Sequence, residues 1–284
     1  MSKHPSVSIV IPAYNEERAI AACLDSIAVQ SILPLEVIVV DNNSTDATRE
    51  IAAAYSFVTV ISEPRQGVVH ARNTGFTAAR GDIIGRIDAD TRLSENWVQR
   101  IASIFEQDSK VAAVAGNVDY HNLAYASLVN TIDTYVRRYF HVTMRREIPL
   151  QGANMAVRRS AWHKIAREVC SRPGMHEDFD LSIHLHTHNA IIRYDESVLA
   201  SVAYRQAAGS WAQFARYGLL APKTYQLHGR KSGRWLYIPI GLGLIIYPIL
   251  HLLSKGKNPK TGGFSVSKFV NSHTKRVNPA LFVD

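Results

Sequence analysis

Cysteine is nearly absent from this 284-residue chain: Cys23 and Cys170 are the only two. They lie far apart with no paired-ligand spacing, which excludes a disulfide framework and argues against a zinc module. A reducing, cytosolic setting fits best. Acids are missing from the last quarter. From Ala221 onward ten Lys/Arg face one acid, Asp284, so of 32 basic and 24 acidic residues only 22 and 23 fall in the first 220. The body is near neutral and the tail is basic. No secretory leader is expected either, since the strand-like "SVSIVIP" begins at residue 6. A glycine-rich loop behind that strand is also missing; "PAYNEE" stands where a triphosphate cradle would lie.

What is present describes a globular protein. Hydrophobic residues make up 46% and charged residues 20%, within the range of folded domains, and the length suffices for one sizeable core. The basic tail brackets an apolar run, "LYIPIGLGLIIYPILHLL" at 236–253. As a helix, eighteen residues reach about 27 Å, near the lower limit for a bilayer core of about 30 Å. Pro239, Pro248, Gly241, Gly243 and His251 weaken a straight span. Trp235, Tyr237 and Tyr247, with flanking Lys/Arg, suit an interfacial position. The run is therefore expected to span or lie on a membrane; a buried hairpin is the alternative. Its aromatics sit among aliphatics rather than between basic residues, so nucleic acid is not an expected partner.

Along the first hundred residues strands alternate with helices. "VSIVIP" (7–12), "LEVIVVD" (35–41), "VTVI" (58–61) and "DIIGRI" (82–87) read as strands. A helix is expected from Glu16 to Gln30, capped by Asn15, with Ile20, Cys23, Leu24 and Ile27 on one face. A second is capped by Ser44 and runs to about Tyr55, and a third covers about 69–79. Such alternation predicts an α/β fold with a mostly parallel sheet covered on both faces. In such a sheet the carboxyl ends of the strands share one edge, where ligands bind. Tyr14, Asp41, Asp88 and Asp90 all fall there. An Asp-x-Asp pair alone is an ordinary acidic turn; at a shared strand edge it reads as a site for a divalent cation.

Six stretches in order complete the picture: "IVIPAYNEE" (9–17), "VIVVDNNSTDAT" (37–48), "EPRQGVVHARNTG" (63–75), "RIDADT" (86–91), "QGANMAVRR" (151–159) and "HEDFDLS" (176–182). In these the chain resembles the family 2 glycosyltransferases, whose fold is the GT-A nucleotide-sugar-binding fold, over roughly residues 6–205. The resemblance implies a GT-A catalytic domain at 1–220; the basic region 221–284, with its apolar run, is the expected membrane-associated segment. The resemblance also implies an inverting transfer from a nucleotide-diphosphate sugar by single displacement, with Mn²⁺ or Mg²⁺ held by Asp90. Asp88 would serve the ribose or the metal's waters, and Asp41 the nucleobase. Pro12, Tyr14 and Glu16 would lie on the donor side, with Arg65 and Arg72 on the nucleotide or diphosphate. Gly152 and Asn154 would form the acceptor side, beside Glu177, and Asp178 would be the general base.

Three carboxylates within 177–180 would raise at least one proton affinity if buried together. Asp41 and Tyr14 suit a UDP-sugar slightly better than a GDP-sugar. "QFARY" (213–217) approximates the Gln-x-x-Arg-Trp of processive synthases, with Arg216 a candidate diphosphate contact; Tyr217 in place of Trp argues against a long-chain polymer synthase. "HLHTH" (184–188) reads as a polar helix rather than a zinc site, because no third ligand is near in sequence. Residues 116–150 are expected to form an acceptor loop over the site. The acceptor is expected to be a glycan or lipid-linked intermediate at the cytoplasmic side of a membrane. The alternatives are a sugar-1-phosphate nucleotidyltransferase and a non-catalytic nucleotide-sugar-binding scaffold.

Overall fold

A computed structural model describes residues 4–143, 147–172, 174–205, 210–257, 261 and 263–266. Eight strands form one mixed sheet. They are β1 (Val7–Ala13), β2 (Glu36–Asp41), β3 (Val58–Ser62), β4 (Ile83–Arg86), β5 (Arg92–Leu93), β6 (Val111–Tyr120), β7 (Met155–Arg158) and β8 (Ile191–Val202). Their order is β3-β2-β1-β4-β7-β6-β8-β5. The first four are mutually parallel, β7 runs antiparallel between β4 and β6, and β8 is parallel to β6. The parallel half is the expected one. The reversed β7 swings "QGANM" back to the edge where β1, β2 and β4 end.

Helices cover both faces, as continuously apolar strands require. On one side lie α1 (Ile20–Ala28), α2 (Thr48–Ala53) and α4 (Trp97–Gln107). α1 buries the four expected residues, Ile20, Cys23, Leu24 and Ile27. On the other side α3 (Val68–Ala78), α6 (Arg159–Ile165) and α7 (Glu177–Thr187) pack around Phe76 and Trp162, whose rings meet edge to face at 5.1 Å.

Two expected caps differ. α1 begins at Ile20, not Glu16, because Asn15 adopts φ +54° and its Oδ1 accepts the Thr45 N–H at 2.8 Å. Ser44 accepts the Asn15 N–H at 3.1 Å instead of capping α2, whose first residue is Thr48. Both side chains tie the β1 and β2 turns together. Local sequence favours a cap, but the cross-turn partner is present only in the folded chain.

Residues 116–150 are largely structured rather than a loop: β6 continues to Tyr120, and α5 (Ala126–Thr143) follows. Two further helices close the chain's described part. α8 (Trp211–Leu227) starts with a Ser210/Gln213 capping box and runs unbroken through residue 220. A 3₁₀ turn (Lys231–Leu236) leads into α9 (Tyr237–Lys255), which contains the apolar run. α9 packs on α8 through Tyr247 against Phe214 at 5.0 Å, and its Leu250 and Leu253 reach the small core around Val118, Tyr120 and Val202. Most of its other large residues face outward.

Candidate active site

The strand ends, α5, α7, α8 and α9 enclose one cavity of about 1160 Å³. Pro12, Tyr14 and Glu16 enter it from the end of β1, Asp88 and Asp90 from beyond β4, and Gly152 from ahead of β7. Glu177 and Asp178 arrive on the first turn of α7, and Arg216 on α8. Nine of the expected residues, drawn from five sequence segments, thus share one space.

Arg86 organises it. The guanidinium is buried, with Nη2 2.8 Å from Glu177 Oε1 and 3.1 Å from Asp88 Oδ1, and Nη1 3.5 Å from Asp178 Oδ1. Arg72 is fully buried and donates to Glu177 Oε2 at 2.8 Å and to the Glu177 carbonyl at 2.9 Å. Burial disfavours charge on Glu177, but Arg86 and Arg72 outweigh it and hold that carboxyl below its ordinary range. Asp178 moves the opposite way. Burial, then repulsion from Glu177, pushes its carboxyl up to about 8 against the pull of Arg86. Its Oδ2 accepts the Gly152 N–H at 2.7 Å, while Oδ1 makes no hydrogen bond among the described residues. One neighbour is ionised and one carboxyl is poised near neutrality, a division suited to taking a proton from a bound hydroxyl.

At the other wall Arg205 bridges Glu16 and Asp90. Its Nε lies 2.6 Å from Asp90 Oδ2, its Nη2 donates to Glu16 Oε2 at 2.7 Å, and its Nη1 pairs with Glu16 Oε1. Burial pushes the Asp90 carboxyl up to about 7, with Asp88 and Glu16 adding to the rise and Arg205 opposing it. Glu16, Asp88 and Asp90 thus bring three carboxylates to this side of the cavity, partly neutralised by Arg205 and by Arg86, and carboxylate oxygens are the hard donors a divalent cation such as Mn²⁺ or Mg²⁺ takes.

Four expected residues lie off the cavity. Arg65 is exposed and forks onto Glu63 at 2.9 Å from both Nε and Nη2. Arg72 is committed to Glu177, so it positions the acid rather than facing the donor. Asp41 is buried at the β2 end, accepting the Ser44 N–H at 3.2 Å. Asn154 is fully buried; Trp97 Nε1 donates to its Oδ1 at 2.7 Å, and its Nδ2 donates to the carbonyls of Asn117 and Val198. It braces three elements instead of presenting amide groups to a ligand.

Sequence reasoning passed over Arg86 and Arg205. The first carried a usable signal, a lone cation in the apolar strand "DIIGRI" ahead of Asp88. The second carried none, because its partner Glu16 is 189 positions away. Reasoning from spacing also missed the grouping of Cys170, Asp180, His184 and His228, whose ligand atoms lie within 4.8 Å of one another.

Comparisons with known proteins bear on the family and the fold. The sequence model of glycosyl transferase family 2 matches residues 8–166. Glycosyltransferase AglE of Haloferax volcanii is 30% identical over 162 residues, covering 55% of this chain and 53% of that protein. Probable glycosyltransferase YdaM of Bacillus subtilis is 29% identical over 252 residues, 83% of this chain and 55% of its own. The matches thus cover about half the length of these two curated relatives. Among solved structures, the mannosyltransferase PcManGT of Pyrobaculum calidifontis, in complex with GDP-Man and Mn²⁺, superposes with a TM-score of 0.61 at 21% identity, covering 89% of this chain and 74% of its own. Glucosyl-3-phosphoglycerate synthase of Mycobacterium tuberculosis, in complex with Mn²⁺, UDP-Glc and phosphoglyceric acid, gives 0.55 at 22% identity, covering 80% of each chain. The fold is that of the GT-A enzymes.

Proposed function

The chain belongs to glycosyl transferase family 2, and from that premise we propose that it is an inverting, metal-dependent glycosyltransferase acting on a lipid-linked acceptor at the cytoplasmic face of a membrane. One observation carries the reading: the carboxylates of Asp88, Asp90 and Asp178 open into the same cavity, with Arg86 beside Asp88 and Asp178 and Arg205 beside Asp90, and that cavity continues to an apolar wall. Val129 and Ile132 of α5 face it together with Leu242, Ile246 and Ile249 of α9. A hydrocarbon tail would suit that wall, leaving its polar head beside Asp178.

In this scheme the acceptor oxygen attacks the anomeric carbon from the side opposite the nucleotide diphosphate. Asp178 Oδ1 takes the proton as the new bond forms and the anomeric carbon–phosphate oxygen bond breaks. The diphosphate leaves on the side of Asp88 and Asp90. Asp90 would hold the divalent cation with Asp88 and Glu16 nearby, and the ion would stabilise the charge that builds on the departing diphosphate. Tyr14 offers its ring to the base, and Asp41 supports the turn behind it. Uracil is the base we favour. Gly152 and Glu177 fix Asp178, and Arg216 faces the cavity from α8 as a candidate diphosphate contact.

The test is transfer from a panel of UDP- and GDP-sugars with Mn²⁺ or Mg²⁺, with and without a polyprenyl-phosphate or membrane lipid extract. Metal-dependent nucleotide release from one donor, stimulated by lipid and giving the inverted anomer, is expected. A GDP-sugar as the accepted donor would correct the base. Donors that bind without transfer, in wild type and Asp178→Asn alike, would replace this reading with a non-catalytic scaffold. A phosphate acceptor is already anionic at neutral pH and leans less on a base than a hydroxyl does. The depth of the Asp178→Asn defect therefore separates the two acceptors.

A further inference from the structure

Behind the first turn of α7, away from the cavity, Cys170, Asp180, His184 and His228 turn their ligand atoms toward one point. Asp180 Oδ1 lies 2.8 Å from His228 Nε2 and 3.5 Å from His184 Nε2, and Cys170 Sγ lies 3.9 Å from His184 Nε2. Asp180 is fully buried, and all four atoms lie within 4.8 Å of one another. We propose that these four side chains form a structural zinc site that ties α7 to the segment before it and to the end of α8.

Three physical arguments carry it. Two imidazoles aim their Nε2 atoms at one oxygen, Asp180 Oδ1, and the Cys170 Sγ beside them has only long contacts, 3.8 Å to the Glu168 carbonyl and 3.9 Å to His184 Nε2. A single cation satisfies all four atoms at once. Tetrahedral zinc with bonds of about 2.0–2.3 Å places its ligands roughly 3.3–3.6 Å apart; the 3.5 Å Asp180–His184 spacing already matches, the 2.8 Å Asp180–His228 contact must open, and the wider spacings must close. The supporting shell is already built. Glu168 Oε2 lies 3.6 Å from His184 Nδ1, where a ring N–H directed at a carboxylate leaves Nε2 free for a metal. The Cys170 N–H donates to Asp180 Oδ2 at 2.9 Å, which turns Oδ1 inward.

One thiolate, two imidazoles and one carboxylate favour Zn²⁺ over Mn²⁺ or Mg²⁺, which take oxygen donors. On binding, the thiol gives its proton to solvent. The site would be distinct from the one at Asp90, and none of its four ligands lines the cavity. Its effect would be positional: His228 follows the last residue of α8, and Asp180 stands two residues past Asp178, so the metal would fix the start of α7.

The test is metal content of the full chain, purified without chelator and then challenged with Zn²⁺ or Co²⁺. One zinc per chain is expected, and Co²⁺ should give intense tetrahedral visible bands with a thiolate charge-transfer band. Cys170→Ser should lose the charge-transfer band and bind at least about tenfold more weakly, and Glu168→Gln about 10–100-fold more weakly. Asp90→Asn should keep its zinc. Should Cys170→Ser fail to fold, zinc protection of the Cys170 thiol against alkylation in the wild type decides instead. No stoichiometric zinc, uptake unchanged in Cys170→Ser, or loss of zinc in Asp90→Asn would each overturn the proposal.

Discussion

The backbone N–H of Gly152 donates to Asp178 Oδ2 at 2.7 Å, and a Cβ at position 152 would stand 1.1 Å from Arg86 Nη1 and 2.7 Å from Asp178 Oδ1. Only glycine lets the turn before β7 come this close to both groups. Gly152→Ala must displace the Arg86 guanidinium or the Asp178 carboxylate. We expect its kcat to fall about as far as that of Asp178→Asn, which should lose about 10²- to 10⁴-fold with a hydroxyl acceptor. Thermal melting should show both variants folded. An active Gly152→Ala enzyme would mean that the carboxylate need not sit where it does.

Because Asp178 must be ionised to accept a proton and its carboxyl is pushed up to about 8, activity is lost on the acid side. Below about pH 8, kcat/KM should fall tenfold per unit, and above it level off. Glu177→Gln removes the negative neighbour that helps raise Asp178, so the ascending limb should move to lower pH. A profile flat from about pH 6.5 to 9, or a limb that stays in place in Glu177→Gln, would dissociate the limb from Asp178.

Asp90 shares its wall with Asp88, Glu16 and Arg205. Chelation with EDTA should abolish transfer, and Mn²⁺ should restore it. Since burial pushes the Asp90 carboxyl up to about 7, protons compete with the cation below that pH. The half-saturating Mn²⁺ concentration should therefore rise as pH falls through 7. Asp90→Asn should need at least about tenfold more metal or show no transfer. A metal requirement unchanged in Asp90→Asn would place the ion elsewhere.

The parts of this site that were legible in sequence were those fixed by period and position. Continuously apolar runs ending in Tyr14, Asp41 and Asp88 announce parallel strands, and the sheet then brings their ends together without further information. Partnerships made by the tertiary fold were not legible. Nothing near Arg205 points to Glu16, and nothing near Arg72 distinguishes a guanidinium that meets a diphosphate from one that holds Glu177. The same limit explains Asn15, read as a cap from its neighbours but turned to φ +54° by Thr45 across a turn. Cys170 and His228 join His184 only because α8 ends beside α7.

The last prediction concerns α9, whose outer face is unusually apolar for a surface helix. Ile245 is 76% exposed and Ile238 57%, with Trp235 and Tyr237 at the helix start also open. From Lys231 to Lys255 the helical segment is long and apolar enough to cross a bilayer, yet only 11% of its apolar window is buried. Arg230, Lys231 and Arg234 precede α9, and Lys255 and Lys257 lie at or beyond its end. Arg230 is paired with Glu147 at 3.0 Å and Lys257 donates to the His121 carbonyl, which leaves Lys231, Arg234 and Lys255 to favour anionic lipid, a cation near the surface contributing about 1 kcal/mol. The full chain should cosediment with anionic vesicles, and more weakly with neutral ones or in high salt. Burying an isoleucine is worth about 1.5–3 kcal/mol, so Ile245→Asn and Ile238→Asn should each weaken partitioning by about tenfold or more while leaving the melting temperature near that of wild type. A chain that stays in the supernatant with anionic vesicles would remove the membrane from this account. The apolar face would then have to meet protein, and lipid would no longer be expected to stimulate transfer.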